Sequence, residues 1–132
     1  MYTEVFYMKN VISTDKAPKA IGPYSQAIMV NNVIYTSGQL PMDPETGNIE
    51  AKGIKAQAEQ ALKNLQAVLE AAGATFDNVV KTTCFLAEIS DFAAFNEVYA
   101  EYIKSAPARS CFAVKDLPKG ALIEIEAVAY LA

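Results

Sequence analysis

The sequence predicts an α+β fold in which two helices cover one face of a β-sheet, in the order ββ(β)-α-β-α-β-β. Two windows, residues 54–72 and 91–104, repeat apolar side chains at helical spacing. The segments around them are instead rich in β-branched, aromatic and small apolar residues, as strands require. The length of 132 residues matches one domain and is short for two separate cores. With 52% hydrophobic and 20% charged residues and no low-complexity stretch, the chain has enough apolar material to bury.

Residues 1–9 are expected to be an N-terminal extension ahead of a single domain over 10–132. Residues 10–13 suit a short strand, and 16–24, with Pro18, Gly22 and Pro23, an ordered loop. Residues 27–30 and 33–37 form two strands around Asn31-Asn32, because asparagine tolerates the positive φ of a two-residue hairpin turn. Residues 39–53 are too rich in Pro and Gly for a regular element and turn at 43–47. In the first helix Ile54, Ala58, Ala61, Leu62, Leu65, Val68, Leu69 and Ala72 share one face, with Lys55, Glu59, Lys63 and Gln66 opposite, and Gly73 stops it. Residues 79–87 read as a strand. The second helix runs through Phe92, Phe95, Tyr99 and Tyr102, with Ser90 or Asp91 as its side-chain cap. Strands at 109–114 and 121–131, joined by the 115–120 loop, complete the sheet.

The last strand exposes a problem of assembly. Ile123, Ile125, Ala127 and Ala129 point to one face, where the helices cover them. Leu122, Val128 and Tyr130 alternate with Glu124 and Glu126 on the other, which would leave apolar area beside carboxylates in a lone chain. Oligomerisation over this bare face is the expected solution.

What the composition lacks excludes much chemistry. There is no histidine, so Ser-His-Asp and Cys-His arrangements and histidine metal sites are out, and two cysteines alone make no zinc site. The six glycines are too dispersed for a phosphate-cradling loop or a dinucleotide fingerprint. No cofactor or metal is expected. A net charge of -4 without a basic cluster disfavours nucleic acid as the main partner. Residues 1–10 contain Glu4 and no continuous apolar run, and the apolar C-terminal stretch is broken by Glu124 and Glu126, so neither a signal peptide nor a spanning helix is expected. A cytoplasmic protein with Cys84 and Cys111 as reduced, strand-packed thiols follows.

Ten of the eleven cations are lysine; Arg109 is the one arginine. Guanidinium presents a planar fork that grips a carboxylate at two points, which a lysine point charge cannot do. Arg109 sits at a strand start, where element ends display site residues, and its partner is either a protein carboxylate such as Glu124 or Glu126, or a ligand. Glu124 and Glu126 stand at i and i+2 on one face of an otherwise apolar strand. Burial and mutual repulsion raise at least one of their pKa values, which makes Glu124 the best-placed base in a histidine-free chain. Glu126 is read as an inter-subunit ion-pair residue.

The strings IGPYSQA (21–27), SGQLP (37–41), PARSC (107–111) and IEIEA (123–127), in this order with two helices between, resemble the RidA (YjgF-type) family from about Asn10 to the C-terminus. The resemblance implies a chorismate-mutase-like α+β fold assembled as a homotrimer around a central β-barrel, with active sites in the clefts between subunits. It implies hydrolysis of 2-imino acids, such as 2-iminobutanoate and 2-iminopropanoate, to 2-keto acids and ammonia, without cofactor or metal. By position, Arg109 matches the arginine that holds the substrate carboxylate and Glu124 the residue that holds or activates water. Tyr24 matches the tyrosine closing the cleft from a neighbouring subunit. Gly38 and Cys111 match positions that approach the ligand through backbone groups, and Asn96 the polar residue of the second helix. The chain departs from the pattern at Phe112-Ala113, where many relatives carry Val-Glu, and in the short Ser105-Ala106 segment. Two alternatives stay open: a regulatory trimer that keeps the Arg109 grip on small carboxylates without turnover, and an endoribonuclease-like translation inhibitor, an activity that the resemblance brings with it. The net charge, the missing histidine and the lone arginine speak against the latter.

Overall fold

The structure, a computed structural model, describes residues 9–132. Residues 1–8 of the expected extension lie outside the described residues. Six strands, β1 (Lys9–Ile12), β2 (Ala27–Val30), β3 (Val33–Thr36), β4 (Val79–Leu86), β5 (Ala108–Ala113) and β6 (Ile123–Tyr130), form one sheet in the order β1-β2-β3-β6-β4-β5. The helices are α1 (Ile54–Ala71) and α2 (Phe92–Tyr102). Only the β4–β5 pair is parallel, and α2 is its crossover. This is the mixed α+β arrangement that the sequence predicts.

The hairpin turns where expected: Val30 pairs with Val33, and Asn31 takes φ 54°. Gly73 ends α1 at φ 85°, a left-handed conformation that disfavours side chains with a Cβ. Both helices lie on one face, over Ile123, Ile125, Ala127 and Ala129 of β6, and the core between the layers adds Ile34, Leu62, Leu65, Leu69, Leu86 and Phe95. The opposite face shows Tyr130 at 51% and Tyr35 at 50% exposure beside Glu124 and Glu126, the apolar-and-acidic surface expected of it.

One expectation fails. No side chain caps α2: a 3-10 turn over Ile89–Asp91 leads into it, and the N-cap, Asp91, already has helical dihedrals (φ -84°, ψ -1°). A capping side chain needs an extended N-cap backbone to reach forward to the free amides, and the Asp91 amide is meanwhile donated to Glu88 O at 3.1 Å. The second helix is correspondingly shorter than residues 91–104.

Buried polar side chains fix the long loops. Gln26 accepts from Thr14 N at 2.7 Å and donates to Thr14 O at 3.0 Å and Pro18 O at 2.8 Å, which ties down the stretch before Tyr24. Asn64, on the apolar side of α1, donates to Leu40 O at 2.9 Å and Met42 O at 2.8 Å. Gln57 accepts from Leu122 N at 2.9 Å and so joins α1 to the start of the last strand. Buried amides of this kind are stable only when satisfied, so each specifies one loop course.

Candidate active site

The six candidate residues fall into two groups. The first lies at the β5 edge of the sheet, on the helix-covered face. Arg109 is the second residue of β5, opposite Thr82, and Cys111 follows two residues later opposite Cys84. Alternation along the strand puts both side chains on the same face. Asn96 of α2 accepts from Arg109 Nη1 at 2.7 Å, and the guanidinium carbon lies 4.8 Å from the Tyr99 ring centroid and 5.5 Å from that of Phe92. Cation–π contact with two rings holds the guanidinium while leaving donor hydrogens free. Among the described residues no carboxylate pairs with Arg109; the ion pairs there are Lys55–Glu97 and Lys63–Glu59. The intramolecular bridge to Glu124 or Glu126 does not form.

Cys84 and Cys111 are free thiols, one buried and one half-buried. Burial pushes Cys84 up to about 12 and raises Cys111 as well, with the Arg109 charge opposing both shifts. These are packing thiols, not activated nucleophiles.

The second group forms on the bare face. Glu124 stands opposite Phe85 in the β4–β6 ladder, while Thr82, the partner of Arg109, stands opposite Ala127 on the helix side. Within one chain, Arg109 and Glu124 therefore leave opposite faces of the sheet. Gly38 abuts Glu124: Gln39 and Ile125 exchange backbone hydrogen bonds (2.7 and 3.1 Å), and a Cβ at Gly38 would lie 2.8 Å from the Glu124 carboxyl carbon. Glycine here provides room for a carboxylate. Tyr24 reaches the same region because Ser37 Oγ donates to Ser25 O at 2.6 Å and Ser37 N to Gln26 O at 2.8 Å, zipping the GPYSQ and SGQ segments together. Tyr24 is 52% exposed and lines a small pocket with Gly38. A roomier cleft of about 660 Å³ touches Tyr24 but none of the other five.

Burial raises the Glu124 carboxyl above its ordinary value, with the neighbouring Glu126 charge as the second cause. No cluster of three or more metal-ligating side chains occurs among the described residues, and no helix among them is long and apolar enough to cross a membrane.

Sequence reasoning missed Thr82, Phe92 and Tyr99 as parts of the first group. A signal was present: Phe92, Asn96 and Tyr99 follow i, i+4, i+7 spacing and share a helix face, yet the two aromatics read equally well as core. Thr82 carried no signal, since its role depends on the β4–β5 register.

Comparison with known proteins finds relatives along nearly the whole chain. The family model described as endoribonuclease L-PSP matches residues 14–131. The human 2-iminobutanoate/2-iminopropanoate deaminase is 56% identical over 123 residues, 92% of this chain and 90% of that protein. A Yersinia pestis protein of the conserved Rid family superposes with a TM-score of 0.90 at 50% identity, covering 93% of this chain and 99% of the other. RidA from an Antarctic Psychrobacter gives 0.89 at 48% identity, covering 92% and 99%.

Proposed function

The chain belongs to the endoribonuclease L-PSP family, the YjgF/RidA family, and from that premise we propose that it is a 2-iminobutanoate/2-iminopropanoate deaminase, hydrolysing 2-imino acids to 2-keto acids and ammonia. The observation that carries the reading is Arg109: a guanidinium held by Asn96, Phe92 and Tyr99, with no carboxylate partner among the described residues. Such a group is prepared for a carboxylate from outside the chain.

Arg109 binds the carboxylate of the imino acid at two points and fixes the adjacent C=N carbon, so that attack by a held water becomes effectively intramolecular. Glu124 positions that water and takes its proton as the C–O bond forms. The raised carboxyl is a stronger base than an ordinary glutamate. Glu124 returns that proton to the nitrogen, which gives the carbinolamine; it then passes the hydroxyl proton to the same nitrogen, the C–N bond breaks as the C=O bond forms, and ammonia and the keto acid leave. Imines hydrolyse readily unaided, so the barrier to be lowered is modest and two polar groups suffice. Tyr24 bounds the cleft and offers a hydroxyl, while Gly38 and Cys111 border the ligand through their backbone.

Arg109 and Glu124 lie on opposite faces of one sheet, which supports a site completed by a second copy. We read the assembly as a homotrimer whose three sheets enclose a central barrel, with residues 10–132 as its single domain. The exposed Tyr35 and Tyr130 on the bare face support its burial in this way. The free thiols support a cytoplasmic setting.

The test generates 2-iminobutanoate in situ from threonine with a dehydratase and follows keto acid release. Wild type accelerates it, and Arg109→Ala and Arg109→Lys both abolish the acceleration, because lysine lacks the fork. A folded wild type without effect on this imine overturns the reading.

A further inference from the structure

Three elements meet at Arg109. Thr82 of β4 is its register partner on β5, so both side chains leave the same face of the sheet. Tyr99 of α2 touches both: its hydroxyl lies 2.8 Å from Thr82 Oγ1, and its ring lies under the guanidinium. Thr82 is fully buried between Arg109 and Ala127 of the neighbouring strands, where a valine of nearly the same shape would suit packing alone. Its hydroxyl bonds the tyrosine and neighbours the Cys84 thiol, two residues on along the same face. A hydrogen bond at the far end of the ring anchors its swing about Cα–Cβ and so fixes where the ring sits, while packing against Phe95 bears on its rotation. The place of the ring decides where a guanidinium stacked on it presents its edges.

We propose that Thr82 and Tyr99 are positioning residues that hold the Arg109 guanidinium in place, with Phe92 as a second aromatic contact, so that its free donor edge meets a substrate carboxylate. This rests on the deaminase reading for the identity of the ligand, but not for the geometry. Neither residue touches the reacting carbon. Their effect is on carboxylate binding, common to ground state and transition state, and so on KM more than kcat.

The experiment uses the full chain in its assembled state, with Thr82→Val, Thr82→Ser, Tyr99→Phe and Arg109→Ala. Calorimetry measures binding of 2-ketobutyrate and of its amide, which lacks the carboxylate; kinetics on 2-iminobutanoate gives KM and kcat. Thr82→Val and Tyr99→Phe are expected to weaken 2-ketobutyrate about tenfold, leave the amide unchanged and raise KM with kcat within about twofold, while Thr82→Ser restores binding. Equal losses for acid and amide, wild-type affinity in both Thr82→Val and Tyr99→Phe, or no rescue by serine overturns the proposal. Tyr99→Phe keeps the ring, so a Thr82→Val that fails to fold leaves the question answerable. Wild type that binds 2-ketobutyrate without turning over the imine sinks the deaminase reading and leaves this one to be judged on binding. Wild type that binds no 2-ketobutyrate overturns both.

Discussion

At the scale of the residue, Glu124 carries opposite consequences for activity and for stability. Its carboxyl is raised by burial and by Glu126, so the folded protein holds that proton to higher pH than the unfolded chain does. In the window from the ordinary value of 4.5 up to the raised one, the native state binds more protons, and stability falls as pH rises. Glu124→Gln removes that slope: thermal melts across the window should show the variant gaining on wild type as pH increases, and a parallel course would refute the assignment. With Glu124 as the base proposed above, the activity limb should run the other way, since the ionised form takes the proton; kcat/KM of wild type is expected to rise with pH through the same window. Gly38→Ala should disturb the same group by contact, because its Cβ would press on the Glu124 carboxyl. Deaminase activity is expected to drop about tenfold or more with 2-ketobutyrate affinity largely kept, as for a loss confined to water activation.

At the scale of the element, the readable features were those whose cause is local. The α1 periodicity, the Asn31 turn and the Gly73 stop each depend on a few adjacent residues, and each is where the pattern put it. The α2 cap was misjudged because the chain enters through a 3-10 turn, which a list of capping residues does not reveal. Arg109, Glu124 and Tyr24 were legible as candidates through composition and the shared strings; their division between two faces was not, since it follows from strand register. Asn64 shows the same limit inside a helix. It interrupts the apolar side of α1, and only the folded loop explains it, through the carbonyls of Leu40 and Met42. Asn64→Leu keeps the branched shape with the same number of side-chain heavy atoms and leaves two part-buried carbonyls unpaired, so chemical denaturation should show a loss of about 2–3 kcal/mol. A loss under about 0.5 kcal/mol would mean that water replaces the amide at little cost.

At the scale of the whole molecule, the placement of Arg109 and Glu124 makes a prediction about mixtures. β5 and β6 flank β4, and their side chains at these positions leave opposite sides of the sheet. If each site takes Arg109 from one subunit and Glu124 from the next, two inactive variants can repair one another. Arg109→Ala supplies an intact Glu124, and Glu124→Gln supplies an intact Arg109. After mixing in equal amounts, unfolding and refolding together, a given site draws an intact arginine with probability one half and an intact glutamate with probability one half. About one quarter of wild-type activity should therefore return in the mixture, although neither variant refolded alone shows any. A site built within one chain gives no recovery, since every subunit still lacks one of the two groups. Light scattering on the same samples fixes the assembly at three copies or at another number, and the recovered quarter does not depend on that number as long as each site spans one interface.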